Sequence, residues 1–300
     1  MTVNGEAAVI PAVSKGEAQK VLKEFTAKSN KANRDYDARL NTTIETGALG
    51  AIDQAGLISR KKVSPEGAKD YEPLKLSDAR FLIPKQAGWP KFFVADTRSN
   101  RSESARWVFV FQRDGADADW KASYLSAMAP EEFPEFATDK KGHVKAVPTG
   151  GGSRLSVEPD ELSKAYTRYL QDGSGDFADG THTSERRAVR ERTQKREGVR
   201  TEYADQEARP PQYATFGLRT KDGGAMVFFA SHHHTKETYA KGHQPPVKNP
   251  LVKALMTGTP KQAVTYIRVS EQVVTVPPAK EGGDITFLNQ IDGLTSAKGE

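Results

Sequence analysis

The sequence repeats one order of secondary structure, and this repetition limits the possible folds more than any other feature. In each half, amphipathic helical stretches come first, and runs of aromatic and β-branched residues follow. Residues 107–111, Trp-Val-Phe-Val-Phe, take the place in the first half that residues 226–230, Met-Val-Phe-Phe-Ala, take in the second. Runs of this composition are typical of strands. The order therefore predicts an α+β protein made of two tandem domains.

A glycine-rich stretch separates the two halves. Residues 149–153 read Thr-Gly-Gly-Gly-Ser, a composition typical of flexible linkers. We predict a first domain over residues 1–148, a linker over 149–155 and a second domain over 156–300. Each domain is expected to pack its N-terminal helices on a curved antiparallel sheet. By this order, each half resembles a cystatin-like or nuclear-transport-factor-2-like roll, a likeness of fold that implies no function.

Local signals predict the individual elements. Ser14 and Glu17 fit a capping box, and an apolar stripe at steps of three and four continues to Tyr36, which predicts a long helix. Further helical stretches are predicted over residues 40–52, 157–170 and 185–197. Strands are predicted over residues 79–83, 91–95, 107–111, 120–125, 199–203, 213–218, 225–231, 263–269 and 272–276, with a last apolar segment over 285–288.

Composition excludes several classes of function. The chain has no cysteine, which excludes disulfides, cysteine nucleophiles, iron–sulfur clusters and thiolate zinc sites. The net charge of +5 over 300 residues is mild. It favours weak attraction to anionic surfaces, and no specific nucleic-acid partner is expected.

The sequence does not predict a membrane-spanning segment. No run of 18 apolar residues occurs, so no transmembrane helix is expected. Residues 1–11 lack the basic region and the long apolar region of a signal peptide. The chain is expected to be either a soluble protein with its native start or a fragment whose leader or anchor has been removed.

Three consecutive histidines, residues 232–234, follow the strand predicted over 225–231. Because strand residues alternate between faces, His232 and His234 are expected to share one face. With His243 or Glu237 as a third ligand, they would suit zinc, copper or nickel, and Tyr239 is a further candidate in the same region. The alternative, which we favour, is a strand end running into solvent, with no metal or cofactor.

The predicted helix over residues 185–197 is the most basic stretch of the chain. Arg186, Arg190 and Arg192 are its candidate contacts to phosphates, acidic lipids or anionic wall polymers. Three glutamates interrupt the basic run, so a solvated helix face is the interpretation that we favour. A serine nucleophile is not predicted, because adjacent Ser231 and His232 would point to opposite faces of a strand.

Four stretches of the sequence resemble an uncharacterised actinobacterial family: residues 46–53, 88–95, 218–229 and 292–297. Members of that family are similar to Streptomyces lipoproteins and membrane-anchored extracytoplasmic proteins of unknown function. The resemblance covers nearly the whole chain, and its motifs are structural. It implies an extracytoplasmic location and an anchor that this chain does not contain, and it supplies no catalytic residues.

These observations lead to three hypotheses. In the first, the protein is a non-catalytic binding or structural module outside the cell, whose partner is a protein, an envelope polymer or a small apolar ligand in one concave sheet. In the second, it is an enzyme or metal-binding protein that uses a second-domain pocket near residues 232–234. In the third, it is a cytoplasmic regulatory protein that binds polyanions through residues 185–197.

Overall fold

The computed structural model describes residues 8–300, and the predictions for residues 1–7 lie outside this range. The helices of the first half are α1 (Lys15–Asp35), α2 (Ala38–Asn41) and α3 (Gly47–Val63). A 3-10 turn follows at Pro130–Glu132. The strands of this half are β1 (Ile10–Pro11), β2 (Leu76–Leu82), β3 (Pro84–Gln86), β4 (Lys91–Ser99), β5 (Ser102–Arg113), β6 (Lys121–Met128) and β7 (Val144–Lys145).

The second half again begins with helices. They are α4 (Leu162–Asp172), which follows a 3-10 turn at Pro159–Glu161, and α5 (Ser184–Thr193), with α6 (Pro250–Leu255) later in the chain. The strands are β8 (Lys195–Arg196), β9 (Val199–Glu207), β10 (Phe216–Arg219), β11 (Ala225–Tyr239), β12 (Met256–Thr257), β13 (Ala263–Val276) and β14 (Thr286–Gly299).

Helix α1 begins where the sequence predicts, because Ser14 caps it. The Ser14 hydroxyl oxygen accepts the backbone N–H of Glu17 at 3.1 Å, which satisfies one of the free donors of the first turn. The apolar stripe then faces the interior. Its buried members are Ala18, Leu22, Phe25, Ser29 and Ala32.

The helical stretch predicted over residues 40–52 is broken into α2 and α3. Between them, the backbone of Ile44 accepts the Ala122 N–H at 2.8 Å, and the Thr46 N–H donates to the Ala122 carbonyl at 2.9 Å. This pairing attaches the segment to the edge of β6. Helix α3 then starts at Gly47, whose φ of +59° suits glycine. The break places Glu45 at the edge of the sheet with its side chain inside the protein.

The first sheet has the strand order β2-β4-β5-β6 and buries both of its faces. Successive strand residues point to opposite faces. Phe93, Phe109 and Phe111 face α1, and the ring of Phe25 on that helix lies 5.3 Å from those of Phe109 and Phe111. The opposite face, which carries Val108, faces the second sheet.

The second sheet has the strand order β12-β14-β13-β11-β9-β8, with β10 paired to β11. It is also buried on both faces. Phe229 and Val274 pack around Tyr166 of α4. Phe228 and Val273, their neighbours along the strands, face the first sheet.

The two sheets therefore pack face to face and share one core. Val108 and Tyr124 of the first sheet meet Phe228 of the second, and the Tyr124 hydroxyl donates to the Ala214 carbonyl at 2.7 Å. The layers run helix, sheet, sheet, helix. The mixed helix-and-sheet class with curved antiparallel sheets is confirmed. The boundaries of the two predicted domains stay a prediction.

Helix α3 contacts both halves of the chain. A Cβ atom at Gly293 of β14 would overlap the side chain of Ile52, so the helix lies directly on that strand. Lys62 Nζ donates to the Ala254 carbonyl of α6 at 2.7 Å. The second half therefore helps to position α3.

The stretch predicted as a linker, residues 149–155, is packed at its C-terminal end. Ser153 and Leu155 are buried. Arg219 Nη2 donates to the Ser153 carbonyl at 2.6 Å, and Leu155 forms an isolated bridge with Pro278. The end of this stretch thus belongs to the core of the second half.

None of the helices over residues 8–300 is long and apolar enough to cross a membrane.

The basic helix is shorter than predicted. Helix α5 ends at Thr193, and Lys195–Arg196 form β8. Gly198, with a φ of +73°, then turns the chain from β8 into β9. The prediction of one helix over residues 185–197 is therefore wrong at its C-terminal end.

The histidine run lies in the middle of a strand. Strand β11 continues to Tyr239, and residues 231–238 pair with β9 on one side and β13 on the other. The prediction that the histidines lie where the strand leaves the sheet is wrong. Strand β11 extends through the histidines because it pairs with β9 and β13. The local sequence around the histidines does not reveal this pairing.

Candidate functional site

The three histidines differ in environment. His233 is 2% exposed, whereas His232 and His234 are partly exposed on the other face of β11. The alternation is the one that strand geometry predicts. The His232 ring packs edge-on against Tyr213 at 4.9 Å, and burial lowers the pKa of His232.

The structure does not gather the predicted ligand residues into a metal site. His243 is exposed on the loop after β11, and the Tyr239 hydroxyl donates to Glu237 Oε2 at 3.2 Å. Over residues 8–300, no group of three or more histidine, aspartate or glutamate side chains is placed to hold a metal ion. The histidine run therefore has no ligand set in the described part of the chain.

The buried histidine instead belongs to a hydrogen-bonded relay, which we define as Ser231, His233, Asp205 and Arg190. His233 Nε2 lies 2.8 Å from Ser231 Oγ, and His233 Nδ1 lies 2.5 Å from Asp205 Oδ1. Arg190 donates to both Asp205 oxygens, at 2.6 and 2.8 Å. The side-chain amide of Gln272 lies 2.6 Å from Ser231 Oγ.

Each charge of the relay has a partner. Burial opposes ionisation of Asp205, but the hydrogen bonds from Arg190 and His233 outweigh it and lower its pKa to about 2. Burial is the largest influence on His233 and lowers its pKa, against the opposing effect of Asp205. The relay therefore holds an ionised carboxylate with a guanidinium beside it.

The relay has the order serine, histidine, carboxylate that is found in nucleophilic catalysis. Its serine is inaccessible, however, because Ser231 is 0% exposed. The Tyr166 ring of α4 covers His233 at 6.2 Å between ring centroids. A nucleophile needs access to its substrate, so the arrangement is better suited to holding α5 on the sheet.

The candidate arginines of the basic helix do not form one exposed surface. Arg190 is held by Asp205, as described above. Arg186 Nη1 lies 3.5 Å from Asp292 Oδ2, and its side chain is mostly buried. Only Arg192 of the three is exposed. Two of the three predicted polyanion contacts therefore face carboxylates of the second sheet.

A wide groove of about 800 Å³ lies along the hairpin of β8 and β9 and includes Tyr239. Its arginines are also paired with acids. Arg196 Nη2 lies 2.8 Å from Glu237 Oε1, and Arg200 Nη2 lies 3.1 Å from Glu202 Oε1. The groove is wide and exposed, and both of its arginines are paired, which leaves Lys195 as its remaining basic side chain.

A smaller cavity lies between α1, α3 and the first sheet, and we call it the α1 cavity. Its volume is about 250 Å³. Phe25, Ser29 and Asn33 line it from one face of α1, at the spacing i, i+4, i+8. Leu49 and Asp53 of α3 line it together with Glu45, which lies just before that helix begins.

The opposite wall of the α1 cavity is largely aromatic. Trp107 and Phe109 of β5 lie 6.1 Å apart between ring centroids. Phe109 is buried, and Trp107 is partly exposed. Tyr71 also lines the cavity, and its hydroxyl donates to Asn30 Oδ1 at 2.7 Å. The cavity therefore has an aromatic wall on one side and two carboxyl groups on the other.

The carboxyl groups belong to what we call the acid cluster: Glu45, Asp53, Glu271 and the amide of Asn41. Glu271 of β13 reaches this side of the molecule, where its Oε2 accepts the Leu125 N–H at 2.9 Å. Glu45 and Glu271 are 2% and 3% exposed, and Asn41 is 0% exposed. Over residues 8–300, Glu45 Oε2, Glu271 Oε1 and both Asn41 side-chain atoms have no hydrogen-bond partner within the usual limits.

Burial and mutual repulsion favour the protonated forms of the acids in this cluster. Burial, followed by the charge of Asp53, raises the pKa of Glu45 well above its usual range. Burial also raises the pKa of Asp53, although the charge of Arg60 opposes it. Each carboxyl group also acts on the pKa of the other, so the two titrate as a pair.

The sequence contains a signal for this site, which lies outside the residues predicted above as candidate sites. Glu45, Leu49 and Asp53 have the spacing of one helix face, and they lie in or beside residues 46–53, one of the stretches that carry the family resemblance. Two acids on the face of a helix that also carries leucine and isoleucine indicate buried carboxyl groups. Glu271, far away in sequence, carries no such signal.

Comparisons with known proteins confirm the family resemblance. The domain of unknown function DUF8094 matches residues 9–299. An uncharacterized lipoprotein of Streptomyces coelicolor is 47% identical over 300 residues, covering 100% of this chain and 90% of that protein. An uncharacterized lipoprotein of Streptomyces avermitilis is 47% identical over 302 residues, again covering 100% and 90%.

A more distant relative is a second uncharacterized lipoprotein of Streptomyces coelicolor. It is 27% identical over 286 residues, which cover 89% of this chain and 78% of that protein. No solved structure gives a significant match. The comparisons thus identify the family, and they provide no solved structure with which to compare the fold.

Proposed function

The chain belongs to the DUF8094 family, and on that premise we propose that it is a non-catalytic binding domain at the outer face of the bacterial cell membrane. Its relatives are named lipoproteins, which supports a membrane anchor and an extracytoplasmic site of action. The absence of cysteine from the chain is compatible with either side of the membrane. The proposed ligand is a small molecule held in the α1 cavity.

The α1 cavity is the observation that carries this proposal. Small-molecule sites are concave and mostly apolar, with a few polar groups that orient the ligand. The α1 cavity has Phe25, Phe109 and Leu49 on its walls and the carboxyl groups of Glu45 and Asp53 at one side. Buried ionisable groups with displaced pKa values occur most often at functional sites.

The non-catalytic character follows from the position of the only nucleophile–base arrangement described above. Ser231 and His233 are buried beneath α4, so a substrate would reach them only after that helix moved away.

We also propose that each half is a cystatin-like or nuclear-transport-factor-2-like roll, with α1 covering one sheet and α4 the other. Expression of residues 1–148 alone would test that division of the chain.

The proposed binding function is tested by ligand-observed NMR with a library of small amphiphilic fragments. The variant Ser29→Leu fills the α1 cavity from α1, because Ser29 lies on its wall. Ala27→Leu is the matched control, because it adds the same side chain to the exposed face of the same helix. We expect some fragments to bind the wild-type protein and to compete with one another for the same site. These fragments should not bind Ser29→Leu and should still bind Ala27→Leu.

Two results would contradict the proposal. One is a library without hits on the wild-type protein. The other is a set of hits that bind Ser29→Leu as well as the wild type. The location is tested separately, by exposing intact cells that express the natural gene to an added protease. Loss of the domain supports an outer location, and complete protection contradicts it.

A further inference from the structure

We infer that the α1 cavity selects a small organic cation, an ammonium group on an aromatic or apolar body, whose charge lies against the carboxyl groups of Glu45 and Asp53. The inference rests on the proposed function, because it gives the chemical class of ligand for the same cavity.

The acid cluster contains more carboxyl groups than basic groups. Glu45 and Asp53 line the cavity, and Glu271 acts on both through its charge. Arg60 is the basic side chain whose charge acts on Asp53. Its guanidinium lies over the Tyr36 ring, 6.0 Å from the centroid. One guanidinium can balance only one ionised carboxyl group, so ionisation of a second would be stabilised by an added cation.

Unpartnered polar atoms point to the same conclusion. A buried polar group without a partner destabilises the folded protein, so such atoms are rare unless a ligand or water completes them. Here the Asn41 amide, which is 0% exposed, lies close enough to stabilise the ionised form of Glu45, yet neither its Nδ2 nor its Oδ1 has a partner within the described residues. Glu45 lines the cavity, so its Oε2 remains free for a donor entering from the cavity.

The lining favours an organic cation over a metal ion. No three acidic or histidine side chains over residues 8–300 are placed to coordinate a metal. The other wall is formed by Phe25, Trp107 and Phe109, and aromatic faces attract organic cations. An ammonium group could contact the carboxylates while its apolar body lay against these rings. A hydrated metal ion would leave the rings without a partner.

The entrance does not oppose a cation. Arg101 is the basic side chain on the cavity lining, and it is bound to Glu72. Its Nη1 lies 3.4 Å from Glu72 Oε2, and its Nη2 donates to the Glu72 carbonyl. The pair is therefore close to neutral. The carboxyl groups deeper in the cavity thus determine its electrostatic preference.

The carboxyl pair makes cation binding dependent on pH. Without ligand, burial holds the pKa of Glu45 above its usual range, which favours the protonated form of the pair. Asn41 and Arg60 oppose this protonation, and Glu271 favours it. A bound ammonium ion would favour the ionised pair and release the proton. Affinity should therefore rise with pH until the ligand-free pair is itself ionised.

The inference is tested by isothermal titration calorimetry of the full chain with three matched probes. They are 2-phenylethylammonium, its neutral analogue 2-phenylethanol and the anion phenylacetate. We expect the ammonium ion to bind at least about tenfold more tightly than the alcohol, and phenylacetate not to bind. Between pH 5 and pH 8 the ammonium affinity should rise. Its heat should vary with the ionisation enthalpy of the buffer, as proton release requires.

The variant Glu45→Gln separates this inference from the proposed function. It should remove the preference for ammonium over alcohol, and Glu131→Gln, at an exposed position, should retain it. Binding of both probes with equal affinity and no proton release would overturn the cation inference and leave the binding function intact. Displacement of the ammonium ion by millimolar Mg²⁺ or Ca²⁺ would overturn it in favour of a metal. Equal ammonium binding by the wild type and Ser29→Leu would overturn both proposals.

Discussion

The two buried polar clusters of this protein differ in how their charges are balanced. In the relay, the Asp205 side chain is 4% exposed and meets both Arg190 and His233. In the acid cluster, Glu45 and Glu271 are as deeply buried, and each has an oxygen without a partner in the described residues. Burial alone therefore does not mark a functional site. The informative feature is a buried ionisable group with polar atoms that the chain leaves without a partner.

The same difference gives the clusters opposite responses to pH. Asp205 has a pKa lowered to about 2, so it binds fewer protons in the folded protein than in the unfolded chain. Its contribution to stability is present above pH 4 and is lost between about pH 4 and pH 2. Glu271 has a raised pKa, so its contribution is lost as the pH rises above the ordinary glutamate range.

The largest effect is expected from Arg190→Ala. This change leaves the Asp205 carboxylate buried without its guanidinium, and removing one partner of a buried ion pair typically costs about 3–5 kcal/mol. The free energy of unfolding, measured by urea denaturation at pH 7, should fall by that amount. Arg192→Ala, at an exposed position of the same helix, should change it by less than about 0.5 kcal/mol.

The double variant Arg190→Met with Asp205→Asn distinguishes unpaired charge from lost packing. Because it removes both charges and keeps side chains of similar length, it should recover much of the stability lost in Arg190→Ala. If the double variant is as unstable as Arg190→Ala, packing rather than charge balance explains the relay.

The acid cluster is tested by the pH dependence of unfolding of Glu271→Gln. Burial raises the pKa of Glu271, so the wild type should lose stability as the pH rises from about 5 to 8, by at most about 1.4 kcal/mol per pH unit for each proton. Glutamine keeps a carbonyl acceptor for the Leu125 N–H and cannot ionise. The variant should therefore show a smaller loss and be more stable than the wild type at pH 8.

Glu131→Gln is the control for this measurement, because Glu131 is exposed. It should reproduce the wild-type dependence on pH. A Glu271→Gln protein whose stability falls as steeply as that of the wild type between pH 5 and pH 8 would show that Glu271 is ionised without cost. The contrast between the two clusters would then be lost.

The elements of the fold were predictable where the signal is local. The helix α1 follows from its cap at Ser14 and its apolar stripe, and β4, β5 and β11 follow from their aromatic and β-branched runs. The sequence indicates the contact between the two sheets less clearly than it indicates these elements. Residues 92–95 are apolar without alternation, which is typical of strands covered on both faces. That pattern indicates burial without identifying the covering layer.

The polar clusters were predictable only in part, because they join residues that are distant in sequence. Ser231 and His233 have the spacing of one strand face, so their contact can be inferred from the sequence alone. Arg190 reaches Asp205 only because α5 lies on the second sheet. From the sequence alone, a basic helix is explained equally well by a solvated face. In the same way, Glu271 meets the acid cluster only because the two sheets pack together.

The smallest effect we predict comes from Tyr203→Phe. The Tyr203 hydroxyl lies 2.7 Å from Thr193 Oγ1 at the end of α5, and a typical hydrogen bond contributes about 0.5–1.5 kcal/mol. The ring lies over the Arg190 guanidinium, 4.8 Å from the centroid, and phenylalanine preserves that contact. Tyr203→Leu removes both interactions and should unfold at lower urea than Tyr203→Phe. If Tyr203→Leu and Tyr203→Phe are equally stable, the contact between the aromatic ring and the Arg190 guanidinium contributes nothing to stability.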